Sequence, residues 1–165
     1  MKKNLPLIIT LVTVVLLGGL GAYGYNQYQI QVRQTYIHDR GVIVMPFDLD
    51  KTTHFFTQTD HGGIQKIQAK DPQDTEQIEL IRHHLQKETD LFNQGNFSDP
   101  SSLHGSAMPG LSVLEQSTGK LAVEYSDLPD GGQITYLTDD PGVIDALHRW
   151  FMAQLQDHGM DAMEY

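Results

Sequence analysis

The chain contains no cysteine. That excludes disulfides, thiolate catalysis, Cys-based zinc sites, CxxCH haem attachment and lipidation through a thiol. Basic residues are scarce too. Beyond Lys2, Lys3 and Arg33, eight Lys and Arg face 21 Asp and Glu, a net charge of −13. A surface that acidic repels phosphate backbones, which excludes nucleic acid as a partner, and it also avoids anionic lipid. Metal cations and basic protein faces are the partners such a charge allows. Several catalytic signatures are missing as well. There is no HExxH zinc helix, no P-loop and no GxGxxG loop. Ser106 lies in HGSAM, which is not the GxSxG elbow of a hydrolase. Asp139 and Asp140 stand before Pro141 and read as a helix start, not as an acid–base pair. The expectation is a non-enzyme; a His-dependent hydrolase assembled across the fold, without an identifiable nucleophile, stands as the lesser alternative.

Charge is absent altogether from residue 4 to residue 32. Within that stretch, residues 5–25 read LPLIITLVTVVLLGGLGAYGY. About 21 residues at 1.5 Å each span a hydrocarbon core of roughly 30 Å. Lys2 and Lys3 precede the run, so the positive-inside rule leaves the N-terminus in the cytoplasm and sends the remainder across. Tyr23, Tyr25 and Tyr28 follow it, where an interfacial aromatic belt would sit. The expectation is a transmembrane anchor over 1–25. A cleaved signal peptide, with 7–17 as its apolar region and Gly19 and Gly21 near the cut, is the competing reading. Residues 26–41 are polar without a clear period and read as a stalk.

The remaining chain suits one domain, over 42–165. Residues 42–47 (VIVMPF) suggest a strand edged by Pro46. Residues 53–59 and 64–69 flank the turn cluster Asp60-His61-Gly62-Gly63 and suggest a β-hairpin. Asp71-Pro72 reads as a helix start, with Ile78, Ile81, Leu85 and Phe92 as the apolar stripe and Gly95 as the stop. Residues 95–119 form a long connection with two short helical turns, near Ser98 and over 111–116. A second hairpin follows, with Leu121, Val123 and Tyr125 on one face and LPDGG (128–132) as its turn. Asp140-Pro141 opens the last helix, whose stripe is Ile144, Leu147, Phe151 and Leu155. The order ββα, loop, ββα predicts an α+β fold with two helices on one face of an antiparallel sheet.

Eight histidines and six methionines are what the chain has in place of cysteine. His84 and His148 stand at the inner edges of the two helices. His104 and Met108 lie in the long loop, and His158 and Met160 close the last helix, with Met163 beyond. Imidazole suits copper, zinc, iron and nickel, whereas thioether sulfur suits Cu(I) far better than zinc. The expected metal site is therefore His84, His104, Met108, His148, His158 and Met160, with copper first and zinc second. The plainer readings are a histidine bonded to a carbonyl or carboxylate for His84 or His148, and a flexible tail for Met160 and Met163. His38, His61 and His83 read as solvated, and His54 as a core histidine of the first hairpin. The alternative function is a non-enzymatic accessory or interaction subunit of a membrane complex, with structural histidines.

FSDP (97–100), LHGSAMPG (103–110), ITY (134–136), LHRWF (147–151) and QDHG (156–159) resemble a family of small exported or membrane-anchored bacterial proteins. TTHFFTQTDHGG fits that family's opening hairpin, and the resemblance spans roughly 47–162. A transcarbamylase-like label carried by some members finds no support in this chain, which has no carbamoyl-phosphate loop and is too short. Together with the anchor read from residues 1–25, the resemblance gives the expectation of a single-pass protein of the bacterial inner membrane with its domain in the periplasm or outside. It also implies that His84, His104, Met108, His148 and His158 occupy recurring motif positions.

Overall fold

Two β-hairpins frame the domain, and both follow from short alternating runs around two-residue loops. A computed structural model describes residues 5–164, with side chains for Thr13 and for 15–164. Strands β1 (Thr52–Thr59) and β2 (Gly62–Ala69) turn at Asp60-His61, and β3 (Ala122–Leu128) and β4 (Gly131–Leu137) turn at Pro129-Asp130. The hairpins join through an antiparallel β2–β4 ladder. A last strand, β5 (Ala162–Glu164), adds to β1 in parallel, giving the order β3-β4-β2-β1-β5. The sheet is thus mixed, not purely antiparallel as expected. The C-terminal segment expected as a tail supplies the edge strand.

Helices α2 (Thr75–Asn93) and α5 (Pro141–His158) cover one face of this sheet. Each follows one hairpin but packs over the other. Leu85 of α2 lies against Gly132 of β4, and Phe151 of α5 lies against Gly63 of β2. A methyl group on Gly63 would sit 2.4 Å from the Phe151 ring, so glycine there lets the helix approach. The core between the layers holds Trp150, Tyr136, Phe56, Phe151, Ile81 and Leu85, all buried.

The caps explain the helix starts. Asp140 accepts from the N–H groups of Gly142 and Val143, with Pro141 at the first helical position, as expected. For α2 the expected start at Asp71-Pro72 is three residues early. Asp71 instead accepts from the Gln73 N–H in a turn, and Asp74 caps the helix by accepting from Gln77. The long connection holds α3 (Ser98–His104) and α4 (Leu111–Glu115), close to the two helical turns expected there.

The N-terminal region departs most from expectation. Helix α1 runs Leu5–Val44, about 60 Å at 1.5 Å per residue. Residues 26–41, expected as an irregular stalk, belong to this helix. Ile37 and Gly41 are buried and Ile30 and Gln34 half-buried, a stripe at helical spacing that docks on α3 and α5. Residues 42–44, expected to begin a strand, complete α1. The chain then bends at Met45-Pro46, where the proline bars further helix, and Phe47 drops into the core. Val15, Leu16, Leu17, Leu20, Tyr23 and Tyr25 are all more than 60% exposed. Among the described residues no helix is long and apolar enough to cross a membrane. Residues 1–4, and the side chains of 5–12 and of Val14, which carry much of the expected anchor, lie outside the described residues.

Candidate functional site

Four histidines from four different elements border one small cavity of about 30 Å³. His54 comes from β1, His84 from α2, His104 from the end of α3 and His158 from the end of α5. Glu88 and Trp150 also line it. All four imidazoles are buried, none more than 7% exposed. The rings of His54 and His158 stack with centroids 4.8 Å apart, and His104 meets His158 edge-on at 5.0 Å. The Phe47 ring packs against both His54 and His84.

Buried polar atoms are ordinarily hydrogen-bonded. Here several are not. Among the described residues, His54 Nδ1 and Nε2, His158 Nδ1, Glu88 Oε1 and Trp150 Nε1 have no well-formed hydrogen bond. The Asp161 carbonyl lies near enough to His54 to favour its protonated ring, but burial outweighs it. Burial, helped by the nearby His84, pushes His54 down to about 3. Burial and then Lys87 push His84 down to about 4. His158 is driven well below its ordinary value by burial and by His54 and His104. These rings are neutral at ordinary pH.

A carboxylate pair adjoins the imidazoles. Burial and a hydrogen bond with Asp99 push Glu88 up to about 8. Asp99 is held below its usual range, chiefly by a 2.7 Å hydrogen bond from Lys87 Nζ. On the opposite side of His104, its Nδ1 lies 2.9 Å from Asp157 Oδ2. Burial raises the Asp157 carboxyl, but hydrogen bonds from His104 and Arg33 prevail and hold it below the usual range.

Of the expected ligands, His84, His104 and His158 meet at this cavity. His148 does not. It is half-buried at the far end of α5's sheet contact, where Nε2 lies 2.9 Å from the Gly62 carbonyl and 3.1 Å from that of Thr59, fastening α5 to the first hairpin turn. Met108 is buried beneath the loop after α3, beside a surface cleft on the other side of His104, and does not line the cavity. Met160 is 94% exposed. The methionine that does line the cavity is Met45, after α1. His54, expected as a core histidine, is buried and also faces its three counterparts. His38, expected as solvated, is a half-buried partner of Asp161 at 2.8 Å. Among the described residues, no three His, Asp or Glu groups already converge at ligand distances.

No protein-family profile, no curated protein and no solved structure matches this chain.

Proposed function

We propose that this protein binds a transition-metal ion among His54, His84, His104 and His158, and that its apolar N-terminal segment holds it at a membrane. The observation that carries this reading is the set of four buried imidazoles around one cavity, two of which, His54 and His158, have nitrogens without a well-formed hydrogen bond. Leaving such atoms bare costs roughly 1–3 kcal/mol each, and a metal that accepts the lone pair of one nitrogen in each ring removes part of that cost. Neutral imidazoles are the form that coordinates metal. Two imidazoles on one tetrahedral ion, with metal–nitrogen bonds of about 2.0–2.1 Å, have ring centroids roughly 5 Å apart. The centroid spacings of 4.8 and 5.0 Å are close to that figure, but the stacked His54 and His158 rings would have to turn before their in-plane lone pairs met at one ion.

Copper is the first candidate and zinc the second. Imidazole serves both, and Met45 offers the cavity a thioether that favours Cu(I). Met108, His148 and Met160 leave the ligand set. The role is carriage, sensing or scavenging rather than catalysis. The exposed apolar stretch of α1 supports insertion in a lipid bilayer; it also favours the second reading, an accessory subunit docked on a partner's membrane helices. The test is elemental analysis and calorimetric titration of full-length protein in mild detergent, with Cu(I), Cu(II) and Zn(II). One tightly bound equivalent, weakened by His104→Ala, is expected. Sub-stoichiometric binding unchanged by that substitution would overturn the proposal.

A further inference from the structure

His104 is held from behind by a two-residue device that no other cavity histidine has among the described residues. Asp157, buried on the last turn of α5, takes the Arg33 guanidinium in a fork. Arg33 Nε donates to Oδ1 and Nη2 to Oδ2, each at 2.5 Å. Arg33 Nη2 also donates to the His104 carbonyl at 3.0 Å, so the same guanidinium grips the side-chain partner and the backbone of His104. Guanidinium only donates, so both Asp157 oxygens are acceptors in this arrangement. The 2.9 Å contact between Asp157 Oδ2 and His104 Nδ1 therefore requires the proton on Nδ1. In a neutral ring the lone pair is then on Nε2. Arg33 and Asp157 border the cleft on one side of His104, whereas the four-histidine cavity lies on its other side.

We propose that Asp157 and Arg33 are positioning residues that fix His104 as its Nδ1–H tautomer, presenting the Nε2 lone pair to the cavity, and that Arg33 makes the site depend on the docked N-terminal helix. The metal-affinity part rests on the function proposed above. A carboxylate behind a ligating histidine orients the ring and raises its basicity, and losing such a partner typically costs 10- to 100-fold in metal affinity. What is particular here is the origin of the outer member. Arg33 belongs to α1, the helix that continues into the apolar N-terminal segment, so anything that lifts α1 from α5 also releases the Asp157 clamp.

The test uses full-length ¹⁵N-labelled protein in mild detergent, first without metal. Two-bond ¹H–¹⁵N correlations of the imidazoles, with His104 assigned by His104→Gln, read its tautomer directly. Wild type is expected to show Nδ1–H at His104. Asp157→Asn and Arg33→Gln, each checked for fold by circular dichroism, are expected to give mixed tautomers at His104, with His54 and His148 unchanged. In titrations with Cu(II) and Zn(II), both variants are expected to lose roughly 10- to 100-fold in affinity, and Arg33→Lys to recover part of the loss. An Nε2–H or doubly protonated His104 in wild type would overturn the proposal, as would folded variants that keep both the wild-type tautomer and the wild-type affinity. The tautomer is read in metal-free protein. Its failure is therefore distinct from failure of the metal reading, which would show as a wild type that takes up no metal.

Discussion

Replacing Glu88 by Gln should remove a loss of stability between about pH 4 and pH 8 rather than weaken the protein throughout. Glu88 is 4% exposed, and its carboxyl is pushed up to about 8, first by burial and then by Asp99, against a smaller pull from Lys87. In the unfolded chain it returns to about 4.3. The folded state therefore holds a proton that the unfolded state releases. Its stabilising contribution is complete below about pH 4 and is lost as pH rises toward 8. Each tenfold change in proton affinity corresponds to about 1.4 kcal/mol, so the whole limb amounts to a few kcal/mol once Asp99 and Lys87 relax. Gln keeps the shape and can donate to Asp99, yet has no proton to lose. Urea unfolding of metal-free protein from about pH 5 to pH 9 measures the difference in stability between variant and wild type. That difference should grow with pH in favour of the variant and level off above about pH 8. A difference constant across the range would refute the neutral buried carboxyl.

On the acid side the sign is reversed. His54 and His84, lowered to about 3 and about 4, stabilise the fold above the unfolded histidine value near 6.5 and lose that contribution as pH falls toward their folded values. Wild-type stability should drop from about pH 6.5 downward, and His54→Phe should flatten that limb; equal stability at about pH 4 and pH 7 would contradict it. His148→Ala should cost about 1–2 kcal/mol in thermal unfolding, through its lost hydrogen bonds to the hairpin turn, while leaving metal affinity unchanged. Gly110→Ala should destabilise by at least about 2 kcal/mol, because its φ is +83° and an added Cβ would lie 1.9 Å from the Ala146 carbonyl. Gly105→Ala, also at positive φ but in open space, should cost clearly less in the same melt.

The hairpins and the two long helices are legible in the sequence because their signals are local. Alternation, two-residue loops built on Asp and Pro and followed by paired glycines, and an Asp-Pro start at α5 each act within a few residues. What the sequence hides is long-range. A three-residue edge strand such as β5 has too few positions to show a period. The docking stripe of α1 is readable in outline from Ile30, Ile37 and Gly41, but it also holds polar Gln34 and is flanked by Arg33, and these two side chains bond to Gln156 and Asp157 of α5. The site is half legible for the same reason. Helical spacing assigns His84 and His148 to inner faces but does not say how far along the sheet each lies. His84 reaches the cavity, whereas His148 ends over the hairpin turn. His54 is recognisable as a buried strand residue, yet only the stacking of β1 beneath the end of α5 brings it to 4.8 Å from His158. Met45 replaces Met108 at the cavity because α1 ends in a bend there, which the expected strand did not contain.

X-ray absorption at the metal edge tests the central claim most directly. Full-length protein loaded with one equivalent of copper should show three or four imidazole nitrogens at about 2 Å. His158→Ala should remove one of them, and His148→Ala should change nothing. An oxygen-dominated shell, or a spectrum unaltered by His158→Ala, would contradict a metal centre built from the four buried histidines.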